Sequence, residues 1–160
     1  MNRIRLSDGG LSNHATNCVD FSSLSSLDVL DLSRNKFSSL PSRIGFLPKL
    51  EFLSVTGCGN LVSILDLPSS LYDLDAYICK SLQRIRIPIR PKEQLYINLG
   101  HCNSLEEIQD IKVQSNIFWN INVDDRKHSP NKLQKIVFEV LFLSVSLAQE
   151  ETHTIDICIH

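Results

Sequence analysis

At 160 residues, 42% of them apolar and 21% charged, the chain has the composition of a soluble globular protein large enough to bury a core. A formal net charge of −2 removes the usual electrostatic ground for expecting nucleic acid or an anionic membrane as a partner. The longest apolar run, "IVFEVLFLSVSLA", is 13 residues long and is broken by Glu139, Ser144 and Ser146, well short of the roughly 20 residues that span a bilayer.

No apolar h-region follows Met1, so no signal peptide is expected. No asparagine starts an N-x-[ST] sequon. The five cysteines form an odd set without pairing spacings, which predicts reduced thiols. Together these features predict a cytoplasmic chain, with the nucleus also open to it.

Taken in order, the chain repeats one frame, L-x-x-L-x-L-x-x-[N/C]-x-(x)-L. A damaged copy opens it, with Ile4, Leu6, Gly9 and Leu11 in "RIRLSDGGL". "LDVLDLSRNKF" then gives Leu27, Leu30, Leu32, Asn35 and Phe37, and "LEFLSVTGCGNL" gives Leu50, Leu53, Val55, Cys58 and Leu61. "LYDLDAYICKSL" supplies Leu71, Leu74, Ala76, Cys79 and Leu82. "QLYINLGHCNSL" supplies Ile97, Leu99, Cys102 and Leu105, with Gln94 in place of the first leucine. The markers Gly9, Asn35, Cys58, Cys79 and Cys102 are separated by 26, 23, 21 and 23 residues, close to the roughly 20–29 residues of leucine-rich repeats.

The spacing dictates the architecture. The x-L-x-L-x centre of each copy alternates, so it predicts a short strand with one buried face. Each copy buries its leucines only against its neighbours, which predicts an α/β leucine-rich-repeat solenoid with a parallel sheet on its concave side. The connections "LPSRIGFLPKL" and "LDLPSSL" hold turn residues and no long helical period, so the convex side is expected to be irregular with short helical turns. About five copies occupy residues 1–111, followed by a post-repeat tail over 112–160.

The recurring cysteine is explained by the same frame. Asn35, Cys58, Cys79 and Cys102 fall on one structural rung, where a buried side chain must satisfy backbone groups: an amide does so strongly, and a thiol weakly while packing like a small hydrophobe. A nucleophilic reading needs a base, and only Cys102, beside His101, has one in sequence; adjacent strand residues point to opposite faces, which disfavours the pair. No two cysteines stand at zinc-ligand spacing. No catalytic residue, metal or cofactor is therefore expected.

The stretch "LSSLDVLDLSRNKFSSLPSRIGFLPKLEFLSVTGCGNL" with "LPSSLYDLDAYICKSLQRI" resembles the C-terminal repeats of plant intracellular immune receptors, the nucleotide-binding leucine-rich-repeat proteins of the TIR class. "NLGHCNSLEEIQDI" and "SNIFWNINVDDRKHSPNKLQK" resemble the segment closing those repeats, so the likeness runs over residues 3–141. It implies a non-catalytic recognition module in disease resistance, meeting a pathogen effector or the receptor's own nucleotide-binding domain. A stand-alone repeat scaffold in signalling is the alternative. The sequence has no G-x-x-x-x-G-K-[ST] loop, and it begins inside a repeat without a polar cap. Both features lead us to expect a fragment of a longer array.

In such a solenoid the x positions beside the buried leucines face the concave side. They are Arg3, Arg5 and Asp8; Val29, Asp31 and Arg34; Phe52, Ser54 and Thr56; Asp73, Asp75 and Tyr77; Tyr96, Asn98 and His101. The protein-binding candidates among them are Arg5, Asp31, Arg34, Phe52, Thr56, Asp75, Tyr77, Tyr96 and His101, with Phe52, Tyr77 and Tyr96 expected to lie close together. In the tail, Ser129 and Pro130 open a predicted helix over 130–147, carried by Leu133, Ile136, Val137, Val140 and Leu141 and expected to cap the last repeat. "THTIDICIH" alternates and predicts a strand over 154–159. His153, Asp156 and His160 there could suggest a metal or triad fragment, but solvated terminal residues are the simpler reading.

Overall fold

In the computed structural model, residues 2–18, 21–41, 43–88, 94–109, 118–123 and 155–159 are described. Each copy of the frame supplies one short strand to a single parallel sheet. In chain order the strands of the protein are β1 (Asn2–Arg5), β2 (Leu27–Asp31), β3 (Phe52–Ser54), β4 (Ser63–Ile64), β5 (Asp73–Asp75), β6 (Arg84–Arg86), β7 (Gln94–Asn98), β8 (Glu107–Gln109), β9 (Phe118–Val123) and β10 (Ile155–Ile159). The main sheet runs β1-β2-β3-β5-β7-β9-β10, with every neighbouring pair parallel. Chain order is kept across it, as expected of a solenoid in which each turn contacts only its neighbours.

Register follows the leucines. Ile4, Leu30, Leu53, Leu74, Ile97 and Ile121 are in register from β1 to β9. Leu30, Leu53 and Leu74 are fully buried, and each such side chain removed from water contributes about 1.5–3 kcal/mol. Beneath them lie Leu32, Val55, Ala76 and Leu99, then Leu61, Leu82 and Leu105, all buried in one continuous core. The "LPSS" turn closes through Ser70, whose buried hydroxyl reaches the carbonyls of Leu47 at 3.2 Å and Leu50 at 2.8 Å.

The return segments hold the short helical turns expected from the sequence and, in addition, a second sheet. Short helical turns are present at Phe21–Ser23 and Ile44–Phe46, and a helix, α1, at Asn13–Cys18. The later copies instead return through a second parallel sheet, ordered β4-β6-β8. Ile64, Ile85 and Ile108 are in register there and buried against the core. Two- and three-residue strands are too short to display an alternation in the sequence.

The main sheet also extends beyond the five strands expected. β9 pairs with β7 over five residues, Gln94↔Phe118 to Asn98↔Asn122, and β10 pairs with β9 in turn. Seven strands give a sheet roughly 29 Å across. The helix expected over 130–147 lies outside the described residues, as do His153 and His160. Among the described residues no helix is long and apolar enough to cross a membrane.

Candidate protein-binding face

Two rows of side chains cross the outer face of the main sheet. The upstream row is Arg3, Val29, Phe52, Asp73 and Tyr96; the downstream row is Arg5, Asp31, Ser54, Asp75 and Asn98. Equivalent residues stand one strand spacing apart, about 4.8 Å. Arg3, Arg5, Val29, Asp31 and Phe52 line a shallow cavity of about 300 Å³ on this face.

The downstream row is locked by its own backbone. Asp31 accepts the Ser33 N–H at 3.0 Å, Asp75 accepts Tyr77 N–H at 3.2 Å, and Asn98 accepts Gly100 N–H at 3.2 Å. Each is an Asx turn that ends its strand. Lateral bonds join the row: Ser33 and Ser54 hydroxyls lie 2.9 Å apart, Ser54 bonds Thr56 at 3.3 Å, and Asn98 donates to Asp75 at 3.1 Å. Among the described residues, Asp73 in the upstream row has no such tie. Burial, and then the negative charge of Asp75, push the Asp73 carboxyl above its usual range.

The aromatic residues are arranged differently from the expected cluster. Phe52 and Tyr96 share the upstream row with Asp73 between them. Tyr77 lies past the strand end, packed edge-on against His101 with ring centroids 5.2 Å apart. Tyr96 packs edge-on against Tyr72 at 5.1 Å. Tyr72, 47% exposed, was missed in the sequence because it stands beside the first leucine of its copy rather than between the strand leucines. Arg34 reaches Asp8 at 3.5 Å at the rim, an exposed pair of little energetic weight.

Beyond the strands each copy makes the same turn. Asp8, Arg34, Gly57, Ile78 and His101, one residue before each marker, all have positive φ, between 56° and 72°. The N–H groups of Asp8, Arg34, Gly57 and Ile78 continue the ladder to the carbonyls of Ser33, Thr56, Tyr77 and Gly100. The turn then closes from Cys58 to Val55, Cys79 to Ala76 and Cys102 to Leu99. Positive φ at the third residue alone is the type II requirement, which glycine meets without strain. Ile78 is β-branched and meets it at a cost.

The marker residues point inward. Cys58, Cys79 and Cys102 are buried free thiols. Their Sγ atoms donate to the carbonyls of Leu32, Val55 and Ala76 at 3.2, 3.2 and 3.1 Å. Each of these carbonyls belongs to the preceding copy. Asn35 Nδ2 makes the equivalent bond to Leu6 at 2.8 Å and adds Leu32 at 2.9 Å and Ser33 at 3.3 Å, while its Oδ1 accepts the Leu11 N–H at 2.9 Å. Burial raises the Cys58 thiol above its ordinary value; the neighbouring Cys102 thiol, and then burial, raise Cys79. Cys102 commits its proton to Ala76 while His101 packs on Tyr77, which is not the geometry of a nucleophile and its base. Among the described residues no group of three or more His, Cys, Asp or Glu side chains could hold a metal ion.

Comparison with known proteins places the repeats. No family model and no solved structure matches the chain. Disease resistance protein RPS4 of Arabidopsis thaliana is 36% identical over 98 residues, covering 58% of this chain and 8% of that protein. TMV resistance protein N of Nicotiana glutinosa is 36% identical over 91 residues, 57% of this chain and 7% of the relative. A probable disease resistance protein of Arabidopsis thaliana reaches 47% over 80 residues, 50% of this chain and 4% of the relative. The chain thus spans less than a tenth of the length of these relatives. Along the matched residues it is a homologue of plant disease-resistance proteins, built as a leucine-rich-repeat solenoid.

Proposed function

We propose that the chain is a protein-recognition module of a plant disease-resistance receptor, and that its partner binds the outer face of the main sheet. The observation that carries this reading is the upstream row with its cavity of about 300 Å³, where Val29 and Phe52 offer an apolar floor between charged walls. Apolar anchors set among polar groups are what protein interfaces use. The relatives are named for disease resistance, and the solenoid offers a partner a broad face of fixed register. The partner is a pathogen protein, or the nucleotide-binding domain of the parent receptor.

The test selects binders to the immobilised chain from a library of secreted pathogen proteins together with nucleotide-binding domains of disease-resistance receptors. Each binder is then measured against Phe52→Glu, against Tyr72→Ala with Tyr96→Ala, and against Phe46→Ser on the return segment. The expected result is a loss of at least about tenfold for the first two variants, with folding retained by circular dichroism, and no change for the third. Binders that ignore Phe52→Glu and the tyrosine pair would overturn the proposal.

A further inference from the structure

From β1 to β7 the outer face is electrically ordered. At β1 it carries Arg3 and Arg5, with Asp31 beside Arg5 in register. From β3 to β7 the two rows are Phe52, Ser54, Asp73, Asp75, Tyr96 and Asn98, without a lysine or arginine. Asp73 and Asp75 stand two residues apart on the same strand, so both side chains leave the sheet on one face. Val29 and Phe52 lie between the two poles and form the apolar part of the cavity.

Distance turns this order into a pattern. From Arg3 on β1 to Asp73 on β5 is three strand spacings, roughly 14 Å. An extended peptide advances about 3.3 Å per residue, so four residues cover roughly 13 Å. Its side chains at positions 0, 2 and 4 share one face. Position 2 then falls midway, over Val29 and Phe52.

Resting on the binding reading above, we infer that this face recognises an extended polypeptide with one acidic and one basic side chain four residues apart and an apolar side chain midway between them. The acidic group meets Arg3 and Arg5, the apolar one fills the hollow at Val29 and Phe52, and the basic one sits over Asp73 and Asp75 beside Tyr96. Side-chain recognition of this kind accepts either chain direction, provided the charges are opposite. A partner with two basic groups at this spacing is repelled at β1, and one with two acidic groups is repelled at β5.

A random nine-residue peptide library, selected on the whole 160-residue chain, tests the pattern. Peptides enriched on the wild type should carry opposite charges four residues apart with an apolar residue midway. Selection on Asp73→Lys with Asp75→Lys should instead enrich two acidic residues at the same spacing, and wild-type-selected peptides should bind that variant about tenfold more weakly. If the lysine variant fails to fold, Asp73→Asn with Asp75→Asn serves, with the preference for a base lost rather than reversed. Peptides that are sensitive to Phe52→Glu but show no charge rule would overturn this inference and leave the proposed binding face standing. Failure to enrich any peptide sensitive to Phe52→Glu would also overturn this inference, while the binding face itself stands or falls on the protein binders measured against Phe52→Glu.

Discussion

Asn35 and the three cysteines occupy equivalent rungs, yet they hold the stack by different means. Asn35 makes four hydrogen bonds, two within its own copy to Leu32 and Ser33 and two, to Leu6 and Leu11, that tie it to the copy before. Each cysteine makes a single thiol bond to the preceding copy. The neighbours explain the contrast. The copy before Asn35 is the exposed one, with Ile4, Leu6 and Leu11 only partly buried and Gly9 bringing no side chain to the rung. Cys58 and Cys79 sit between copies whose strand leucines are buried on both sides, and Cys102 follows one such copy. Where packing is thin, directed hydrogen bonds hold the join; where packing is complete, a small apolar group with one weak donor suffices.

The strongest way to break this comparison is Asn35→Ala. It removes four hydrogen bonds and takes their partner from the half-buried Leu6 carbonyl and Leu11 N–H, while the Leu32 and Ser33 carbonyls keep Cys58 Sγ and the Asp8 N–H. The change should cost about 2–4 kcal/mol in urea unfolding. Cys79→Ala should cost about 1–2 kcal/mol, chiefly for the small cavity it opens. A cost for the cysteine variant equal to that of the asparagine variant would remove the distinction between the two kinds of rung.

The turn before each rung supplies a reciprocal pair of smaller effects. Gly57→Ala puts a Cβ at a φ of 72°, 3.3 Å from Arg34 Cγ, and should lower stability by about 1 kcal/mol. Ile78→Gly relieves a β-branched residue at a φ of 60° and should raise the melting temperature, by the equivalent of about 0.5–1 kcal/mol. Destabilisation by Ile78→Gly would mean that the isoleucine's packing outweighs its strained backbone.

The smallest effect concerns pH. The folded Asp73 carboxyl titrates above its unfolded value of 3.8, because burial and Asp75 disfavour its charge. Its protonated form therefore favours folding below the unfolded value, and that contribution disappears as pH rises through the folded one. Asp73→Asn should accordingly gain stability over the wild type at neutral pH, with the difference shrinking towards pH 3. A difference independent of pH would place the cause in packing rather than charge.

How much of this could be read beforehand depends on whether a feature spans enough residues to show a period. Leu30, Leu53 and Leu74 mark the strands because each belongs to a frame of eleven or twelve residues repeated down the chain. The second sheet left only Ile64, Ile85 and Ile108, spaced by 21 and 23 residues, and each sits in a strand too short to alternate. The positive-φ turn left no signal, because Asp8, Arg34, Gly57, Ile78 and His101 share a conformation and no chemistry. Of the candidate face, alternation marked the positions beside the strand leucines, and two of these, Val29 and Ser54, are themselves buried. It did not reveal that Tyr77 turns to His101 and Tyr96 to Tyr72, since those pairings form between copies.

The constant step between strands makes the array a ruler. Connections of unequal length are absorbed in the return segments, so an insertion there leaves every mark on the outer face where it was. Loss or gain of a whole copy between β1 and β5 slides one pole past the other by about 4.8 Å, between one and two residues of an extended ligand. Recombination within the array would thus rewrite the length of the message read, while each position keeps its own letter.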